Sequence, residues 1–386
     1  MIKKRNLNIY MIATEPSGDA IGSFLIESLK KKNKKIKIYG IGGQKMIKSG
    51  LKKSLFPIKK LSIFGVFEVI PKIFNIINLI NKTYRDVIKL KPDILITIDS
   101  PDFNFRILKK LINKSSFIKK IHYVAPTVWA WREGRAKKLA SYADKLLTIL
   151  PFEDNYFKKY KLDSVFVGHP IYDINKNLKI NKKKFYSKYK IKNNYKIISF
   201  LPGSRLNEIK RTLPVFIKTI NLINNKFNLK IHVLFNILPH LKKYFYKYNI
   251  DFSHSIVDEK DKYKSFNFSN AAISASGTAA IELSYFKVPT IIVYKLNLLS
   301  YFVAKILVKI KFANLINIIE NKYIIPEFLQ FKCNPKLISK ELLKLLSNKK
   351  YSQTQLINCK KALLKLKKNK NLPSENAAKE ILNVIS

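Results

Sequence analysis

The chain has 386 residues, 47% of them hydrophobic, which exceeds what one ordinary core needs and predicts two domains. Its formal net charge is +49, yet only seven of the 74 basic residues are Arg and the Lys are spread over the whole length, which argues against a specific reader of nucleic acid. The two Cys exclude a disulfide framework and indicate a reducing compartment such as the cytoplasm.

Short apolar runs alternate with helical patterns along the whole chain. Nearly continuous runs of this kind fit strands buried on both faces of a parallel sheet. The runs are residues 7–13, 36–41, 94–98, 121–125, 146–150 and 165–167 in the first half, and 197–201, 231–235, 271–274 and 290–294 in the second. They predict an α/β fold of two Rossmann-like βα domains facing a central cleft, with boundaries 1–172 and 173–352. A Lys-rich helical tail, 353–386, is expected to pack across their junction.

The first predicted strand leads into residues 14–19, Thr-Glu-Pro-Ser-Gly-Asp, which open a helix. The Gly-x-Gly-x-x-Gly fingerprint of dinucleotide sites is missing here. Ser17 and Asp19 fit helix caps, and Glu15 fits a solvated loop acid. Taken alone, the residues favour this structural interpretation.

Two stretches are apolar enough to be examined as membrane segments. Residues 61–80 contain Glu68, Pro71 and Lys72, and residues 296–319 contain three Lys, so neither supplies the roughly 20 uncharged apolar residues of a span. Either stretch can lie against lipid. The surplus of positive charge is expected to draw the chain to anionic surfaces, including the cytoplasmic leaflet of a membrane.

The strand predicted at 94–98 is followed by Asp99 and, three residues later, by Asp102. A carboxylate at a strand end can act as a general base toward an acceptor hydroxyl. Asp102 can equally cap a helix beginning near Phe103, which is worth about 1 kcal/mol. From the chemistry alone both roles for Asp102 stay open.

Residues 122–132 carry two Trp spaced by one residue, beside a basic cluster that begins with Arg132 and Arg135. Aromatic rings next to cations suit a sugar or an anionic head group, whereas the alternative is a strand end with domain packing. His122 and His169 are expected in the core or at a hinge, because the five His of the chain lack metal-ligand spacing.

In the second half, two strands each run through a small-residue turn into a helix, at residues 200–205 and 274–282. Such turns point free backbone N–H groups and a helix dipole at a phosphate or diphosphate. Arg205 adds a forked cation, and Glu282 can accept hydrogen bonds from a ribose. The pair predicts a nucleotide-sugar site. Since the chain contains no Asp-x-Asp pair, we expect Arg205 and the dipoles, not a metal ion, to neutralise the diphosphate.

Together the motifs resemble the lipid-A-disaccharide synthases, bacterial glycosyltransferases of outer-membrane lipid A assembly, almost from end to end. The run at 122–131 is the most specific of them. The motifs are Glu15-Pro-Ser-Gly-Asp, Gly40-Ile-Gly-Gly, Gly65-Val-Phe-Glu-Val, Ile98-Asp-Ser-Pro-Asp-Phe-Asn, His122-Tyr-Val-Ala-Pro-Thr-Val-Trp-Ala-Trp, Leu150-Pro-Phe-Glu, Val167-Gly-His, Leu201-Pro-Gly-Ser-Arg and Ser276-Gly-Thr-Ala-Ala-Ile-Glu.

The resemblance implies a GT-B fold with acceptor and lipid contacts in the N-terminal domain and the UDP-sugar in the C-terminal domain. It implies a hexosyltransferase that joins UDP-2,3-diacylglucosamine to 2,3-diacylglucosamine 1-phosphate with inversion, giving a β-1,6 disaccharide 1-phosphate and UDP. It also implies a cytoplasmic enzyme at the inner-membrane surface that needs no cofactor or metal and binds no nucleic acid. A homodimer is one assembly open to such a chain.

Matched residue by residue, the resemblance also implies roles. In the catalytic group, Asp102 is the base, Glu15 and Asp93 are supporting acids, and Asn317 matches an essential asparagine. In the donor group, Arg205 with Ser204 contacts the diphosphate, Ser276, Gly277 and Thr278 form the phosphate turn, and Glu282 accepts from the ribose.

The chain departs from the family pattern at two places near Asn317. Ile316 stands where the family usually has Pro, and residues 320–323, Glu-Asn-Lys-Tyr, replace an Ala-Gly-Arg-Glu-like stretch. One anion contact loses its Arg there, and Lys322 can serve as a point charge instead.

Two other functions remain as alternatives. One is another GT-B enzyme, a UDP-N-acetylglucosamine 2-epimerase or a peptidoglycan glycosyltransferase, which should show different acceptor-domain motifs. The other is a Lys-rich nucleic-acid or membrane-surface binder without catalysis, which predicts salt-dependent binding and no turnover.

Overall fold

The computed structural model describes residues 6–61, 73–112, 117–174, 181–227, 229–275, 277–307 and 310–385. The chain divides into two compact units. Unit 1 consists of Met1–Ile174 and Leu366–Ser386, and unit 2 is Asn175–Lys365.

Unit 1 contains a seven-stranded parallel sheet in the order β3-β2-β1-β4-β5-β6-β7. Its strands are β1 (Leu7–Ala13), β2 (Ile36–Ile41), β3 (Leu51–Ser54), β4 (Ile94–Ile98), β5 (Lys119–Tyr123), β6 (Lys145–Thr148) and β7 (Asp163–Phe166). Its helices are α1 (Pro16–Lys32), α2 (Gln44–Ser49), α3 (Ile73–Leu90), α4 (Pro101–Lys110), α5 (Gly134–Ala140), α6 (Asn155–Lys158) and α16 (Pro373–Asn383).

Unit 2 contains a six-stranded parallel sheet in the order β10-β9-β8-β11-β12-β13. Its strands are β8 (Lys196–Leu201), β9 (Ile231–Phe235), β10 (His254–Ile256), β11 (Ala271–Ser274), β12 (Thr290–Tyr294) and β13 (Glu327–Leu329). Its helices are α7 (Lys182–Lys188), α8 (Leu206–Phe227), α9 (Lys242–Phe245), α10 (Lys262–Phe268), α11 (Ala279–Tyr285), α12 (Leu298–Leu307), α13 (Leu315–Glu320), α14 (Pro335–Ser347) and α15 (Lys349–Lys365).

The α/β architecture predicted from the apolar runs is confirmed, because both sheets are parallel and each is connected by helices. The central strands β1, β4, β8 and β9 are buried almost throughout, as their nearly continuous apolar sequences require. The strands that the pattern missed, β3, β10 and β13, are short and lie at sheet edges. An edge strand buries fewer side chains and therefore carries no apolar run.

The tail that the sequence presents as one helical segment, 353–386, is divided between the units. Helix α15 packs on α11, α13 and α14 in unit 2. Helix α16 packs on α1, and its buried Ala377, Ala378 and Ile381 join the same core cluster as Leu25 and Leu29 of unit 1.

No described helix combines the length and the apolar content needed to cross a bilayer. Most of the apolar stretch at 61–80, including the Gly65 motif, lies outside the described residues. Its remainder forms the start of α3, where Phe74 is strongly exposed.

Candidate functional site

Each sheet has one point where the strand order reverses, and ligands of such sheets bind beyond the carboxyl ends of the strands at that point. In unit 1 it lies between β1 and β4, which pair with Ala13 opposite Ile98. Glu15 follows β1 there, and the turn 99–102 follows β4. In unit 2 it lies between β8 and β11, followed by the turns 202–205 and 275–278. The predicted motifs therefore flank both reversal points.

The turn after β4 has an unusual backbone. Asp99 and Ser100 are consecutive non-glycine residues with φ of 52° and 46°, in the left-handed region. Such residues cost free energy and persist where surrounding contacts hold them. Asn104 supplies one contact, since its Nδ2 donates to the Asp99 carbonyl oxygen at 2.6 Å. Helix α4 starts at Pro101 with Ser100 as its N-cap residue, so Asp102 lies inside the first turn and is not the cap.

Asp102 forms an ion pair with Arg135 of α5, and the Oδ1–Nη2 distance is 2.6 Å. The Asp102 side chain is 79% exposed, whereas the Arg135 side chain is 19% exposed. The structure thus brings a cation of the basic cluster to the acid that the sequence identifies as the candidate base. An acceptor with a phosphate group would find both charges at this turn.

Asp99 is the functional candidate that the sequence reasoning passed over, because it was assigned to the strand end. Burial raises the pKa of its carboxyl above the usual range, and a backbone hydrogen bond with Ser100 offsets part of that rise. A carboxyl directly after a central strand, beside the strand-order reversal, is in a position to take a proton from an acceptor hydroxyl. Its signal in the sequence was an acid placed directly after an apolar strand.

Glu15 and Asp19 have different roles at the end of β1. Glu15 is the exposed N-cap residue of α1, so it lies at the carboxyl edge as expected. Asp19 is buried, and its carboxylate accepts N–H groups of Gly43, Lys45 and Met46 at 2.7–3.1 Å. Asp19 therefore caps α2 and not α1, a correction to the expected local cap.

Asp93 lies at the opposite edge of the unit 1 sheet. Its Oδ2 accepts the N–H of Asn8 at 2.8 Å; Asp93 directly precedes β4, and Asn8 is the second residue of β1. The length of β4 separates Asp93 from Asp99 by about 20 Å. This position does not fit the supporting catalytic role expected for Asp93, because ligands bind at the carboxyl edge.

The tryptophan run is anchored by the Leu150–Glu153 motif. The Nε1 of Trp129 donates to Glu153 Oε1 at 3.2 Å, and Glu153 Oε2 accepts the N–H groups of Ile149 and Leu150. Burial raises the pKa of Glu153 to about 7. Sequence reasoning did not connect the two motifs. Trp131 is exposed, with the Arg132 guanidinium 4.0 Å from its ring centroid, an arrangement that suits a sugar or head group.

His122 is a core side chain. It is fully buried in β5 and its Nδ1 lies 2.7 Å from Thr97 Oγ1. Burial lowers its pKa to about 3, so the imidazole is neutral at physiological pH. The core position expected from the sequence is confirmed for this residue.

In unit 2, the backbone donors of the first turn already have an anionic partner. The N–H groups of Ser204 and Arg205 donate to Glu208 Oε2 at 2.8 and 3.1 Å, and Tyr294 donates to Glu208 Oε1 at 3.2 Å. Gly203 permits this approach with a φ of 102°. The expectation that this turn offers free N–H groups is therefore wrong. The Arg205 side chain is 73% exposed and remains accessible to a diphosphate.

The second turn packs tightly on the segment that precedes α13. A side chain at Gly277 would collide with the Ala313 carbonyl oxygen, so the backbone comes closer than any other residue allows. Thr278 is exposed and is the N-cap residue of α11, while Ser276 lies outside the described residues.

Glu282 is partly buried on α11 and engaged from α10. Lys262 Nζ lies 2.6 Å from its Oε2, and the Tyr263 hydroxyl donates to its Oε1 at 3.1 Å. A ribose must therefore share this carboxylate with two protein donors. The position at the carboxyl edge agrees with the expected role, whereas the Lys262 partner could not be read from the sequence.

Asn317 is fully buried, and its amide has no remaining hydrogen-bonding capacity. Nδ2 donates to the Ile325 carbonyl oxygen and Glu327 Oε1, and Oδ1 accepts the N–H groups of Ile324 and Ile325, at 2.9–3.1 Å. The same Glu327 accepts both the backbone N–H and the Nδ2 of Asn314. These contacts favour a structural role, in which Asn317 fixes the chain between α13 and β13, over the catalytic role expected from the sequence.

The comparisons with known proteins give the family of the chain. A family model described as lipid-A-disaccharide synthetase matches residues 9–381. The lipid-A-disaccharide synthase of Rickettsia bellii (strain OSU 85-389) is 41% identical over 97% of this chain and 98% of its own. That of Rickettsia akari is 40% identical over 97% of this chain and 95% of its own. The chain belongs to the lipid-A-disaccharide synthase family.

Membership makes this chain a hexosyltransferase that forms the lipid A disaccharide from a nucleotide sugar. The other GT-B enzymes considered from the sequence are set aside, since distant solved structures share the fold alone. A putative UDP-N-acetylglucosamine 2-epimerase from Listeria monocytogenes superposes with a TM-score of 0.65 at 12% identity, covering 99% of this chain and 96% of its own.

The calicheamicin glycosyltransferase CalG4 superposes with a TM-score of 0.58 at 9% identity, covering 99% of this chain and 98% of its own. Together with the two parallel sheets, these structural similarities show that this member of the lipid-A-disaccharide synthase family has the GT-B fold of two Rossmann-like domains.

Proposed function

We propose that this chain transfers the 2,3-diacylglucosaminyl group of its UDP conjugate to 2,3-diacylglucosamine 1-phosphate, with inversion. The products are the β-1,6-linked tetraacyl disaccharide 1-phosphate and UDP. The observation that carries the proposal is the turn after β4, which carries two carboxyls, one of them paired with Arg135, at the strand-order reversal of a family member's first sheet.

The reaction requires one base. The acceptor 6-hydroxyl gives its proton to a carboxylate as its oxygen bonds to the anomeric carbon of the donor, and the bond from that carbon to the diphosphate oxygen breaks. One displacement inverts the configuration, and the departing electron pair leaves with UDP. The turn 99–102 offers Asp102, to which the family motif points, and Asp99.

Between these two carboxyls, geometry favours Asp99 as the base. Asp99 lies in the left-handed turn directly after the central strand β4, whereas one oxygen of the solvent-exposed Asp102 is bound by Arg135. Asp102 and Arg135 then orient the acceptor, with the guanidinium available to its 1-phosphate. Glu15, at the end of the neighbouring strand β1, is a supporting acid of the same edge.

The donor diphosphate is assigned to the unit 2 turns. Arg205 supplies an exposed forked cation, Ser204 an exposed hydroxyl, and the N-terminal turn of α11 after Gly277 and Thr278 supplies a helix dipole. Ser276 completes this turn in the sequence. Glu282 accepts from the ribose, and Lys322 is the point charge that replaces the missing Arg.

Both substrates carry two acyl chains, so we place the enzyme at the cytoplasmic face of the inner membrane. Support comes from the net charge of +49 and from exposed apolar side chains, including Phe74 of α3.

The test is a thin-layer assay with UDP-2,3-diacylglucosamine and radiolabelled 2,3-diacylglucosamine 1-phosphate, with and without EDTA. We expect disaccharide in both samples. Asp99→Asn and Asp102→Asn are assayed beside Asp93→Asn, a matched control at the amino edge that keeps an acceptor for Asn8. Full activity in both turn variants would overturn the base assignment.

Donor binding is tested separately, by calorimetric titration of UDP. Arg205→Ala should weaken UDP binding about tenfold, because it removes a charge-assisted contact. Unchanged affinity would place the diphosphate elsewhere. Absence of disaccharide together with conversion of UDP-N-acetylglucosamine to its 2-epimer would overturn the proposed function itself.

A further inference from the structure

Helix α12 of unit 2 has an apolar face that the described part of the unit does not cover. Leu298, Phe302 and Ile306 follow one another at intervals of four residues, which places them on one side of the helix. Their exposed fractions are 58%, 56% and 81%, and Leu307 beside them is also exposed. Apolar side chains of this size are normally scattered singly over a soluble surface, and a row of them marks an interaction site.

A second segment extends this face. The 3-10 turn Gln330–Lys332 carries Phe331, which is 71% exposed. The Phe331 ring lies edge-on to Tyr301 of α12, with 5.8 Å between the ring centroids. Two hydrogen bonds hold the turn in place, because the Gln330 side chain bonds the N–H and the carbonyl of Leu296 at 3.0 and 3.2 Å. The surface formed by α12 and the turn 330–332 is called the α12 face below.

The segments that form the α12 face, and the residues next to them in sequence, carry positive charge. Lys305 lies in α12 and Lys332 in the turn, Lys295 and Lys311 lie three and four residues outside the ends of α12, and all four are exposed. The sequence has no Asp or Glu from position 283 to 319 or from 328 to 340. A protein partner with an apolar and neutral surface would bury the apolar row but leave the Lys without counter-charges. A bilayer with anionic lipids matches both parts of this arrangement, since acyl chains accept the apolar side chains and lipid phosphates attract the Lys.

We propose that the α12 face is a membrane-docking surface, by which the nucleotide-sugar unit of the enzyme binds an anionic bilayer. Leu298, Phe302, Ile306 and Phe331 enter the boundary between head groups and acyl chains, and the four Lys contact lipid phosphates. The proposal rests on the proposed function in one respect, that both acylated substrates reside in a membrane. Binding to lipid is nevertheless measurable without either substrate.

The experiment is flotation of the purified chain with vesicles of phosphatidylcholine, with and without phosphatidylglycerol. Phe302→Ser combined with Ile306→Ser should lower the affinity for vesicles containing phosphatidylglycerol by about tenfold or more, because two large apolar side chains lose their burial. Some binding should remain, since Phe74 of α3 is also exposed.

The matched control replaces two exposed apolar residues of α15 in the same unit, Ile357→Ser with Leu364→Ser, whose exposed fractions are 59% and 58%. We expect its vesicle binding to be unchanged. Lys305→Gln with Lys311→Gln should lower binding to the anionic vesicles about fivefold for each charge and leave binding to phosphatidylcholine unaffected.

UDP titration shows whether each variant is folded. A folded Phe302→Ser, Ile306→Ser variant that floats like the unchanged chain would overturn the proposal. A change in the oligomeric state of this variant, measured by size-exclusion chromatography, would also overturn the proposal, because it would show that the α12 face binds a second copy of the chain. Normal disaccharide synthesis by this variant in detergent, with lost flotation, would support it. Normal flotation of a chain without synthase activity would count against the proposed function alone.

Discussion

At the carboxyl edge of the unit 1 sheet, the acidic residues are exposed to solvent or lie in a strained turn. At the carboxyl edge of the unit 2 sheet, they are already bound by neighbouring protein groups. Asp99 lies in a left-handed turn, and Asp102 is exposed. In unit 2, Glu208 accepts hydrogen bonds from two backbone N–H groups, and Glu282 is bound by Lys262 and the Tyr263 hydroxyl. Both edges surround a strand-order reversal, so topology does not cause the difference.

The difference fits the roles proposed for the two edges. A base must present a carboxylate to a hydroxyl, and the half-buried Asp99 in its strained turn is placed to do so. A turn that binds a doubly charged diphosphate must keep its shape when empty, and internal partners such as Glu208 maintain that shape. The structure therefore suggests a chemical edge in unit 1 and a preorganised binding edge in unit 2.

The largest effect is expected from Asp99→Asn. Loss of the general base should lower kcat by about a hundredfold or more, while UDP binding stays unchanged because the unit 2 turns are intact. Kinetics in detergent with both acylated substrates measure this. Asp102→Asn should cost less, since it removes an orienting contact. If Asp102→Asn lowers kcat more than Asp99→Asn does, the base is Asp102, and the catalytic carboxylate still belongs to unit 1.

Asn317→Ala tests whether this asparagine is structural. The substitution removes the partner of the Ile324 and Ile325 N–H groups and of the Ile325 carbonyl oxygen, so the free energy of unfolding should fall by about 3 kcal/mol. Urea unfolding measures the loss. Normal stability with a strongly reduced kcat would contradict the structural role and indicate that Asn317 takes part in catalysis.

Glu208→Gln tests what the Glu208 carboxylate contributes to the first turn of unit 2. The amide keeps an acceptor for the N–H groups of Ser204 and Arg205 but removes a negative charge from the diphosphate site. UDP binding should tighten about threefold, as expected for a charge at a helix N-terminus. Titration of UDP at low and high salt measures it, since screening should reduce the gain. Weaker binding would show that the carboxylate holds Arg205 in its binding position.

The smallest effect is on the pH dependence of stability and concerns Glu153. Burial raises the pKa of Glu153 to about 7 in the folded protein, against 4.5 for an unperturbed glutamate. Between these values the folded protein keeps a proton that the unfolded chain releases, so this contribution to stability falls as the pH rises. The difference in unfolding free energy between the wild-type chain and Glu153→Gln should decline from about pH 5 to about pH 7 and then level off.

Unfolding in urea at a series of pH values measures this difference. His122 has the opposite sign, because its pKa is lowered to about 3 and the unfolded chain takes up the proton first as the pH falls. The glutamine substitution cancels only the Glu153 contribution. A constant difference across the range would show that the Trp129–Glu153 pair stays ionised throughout.

The sequence predicted the features that depend on local pattern. Apolar runs located the central strands, and small-residue turns located both reversal points, because a buried strand and a strand-to-helix turn leave a mark within a few residues. Asp102, Arg205 and Glu282 were placed at carboxyl edges for the same reason.

Features that depend on distant partners could not be predicted. Two hydrogen bonds show this, one between Lys262 and Glu282 and one between Trp129 and Glu153. They join residues 20 and 24 positions apart, in separate parts of the chain. The saturated amide of Asn317 could not be read from the sequence, because its partners lie up to ten positions away beyond the end of α13. The amino-edge position of Asp93 could not be read either, because a strand carries acids at both ends and the sequence does not mark which end faces the ligand.

Helix α16 has a consequence for how the chain is made. Its side chains complete the unit 1 core, yet the ribosome produces residues 373–383 after the whole of unit 2. The residues of unit 2 can therefore assemble during synthesis, while the first 174 residues wait with part of their apolar surface exposed. The earlier-made half is the later one to reach its native state, and a chaperone that shields the surface of α1 during that interval would act on the enzyme at its most vulnerable stage.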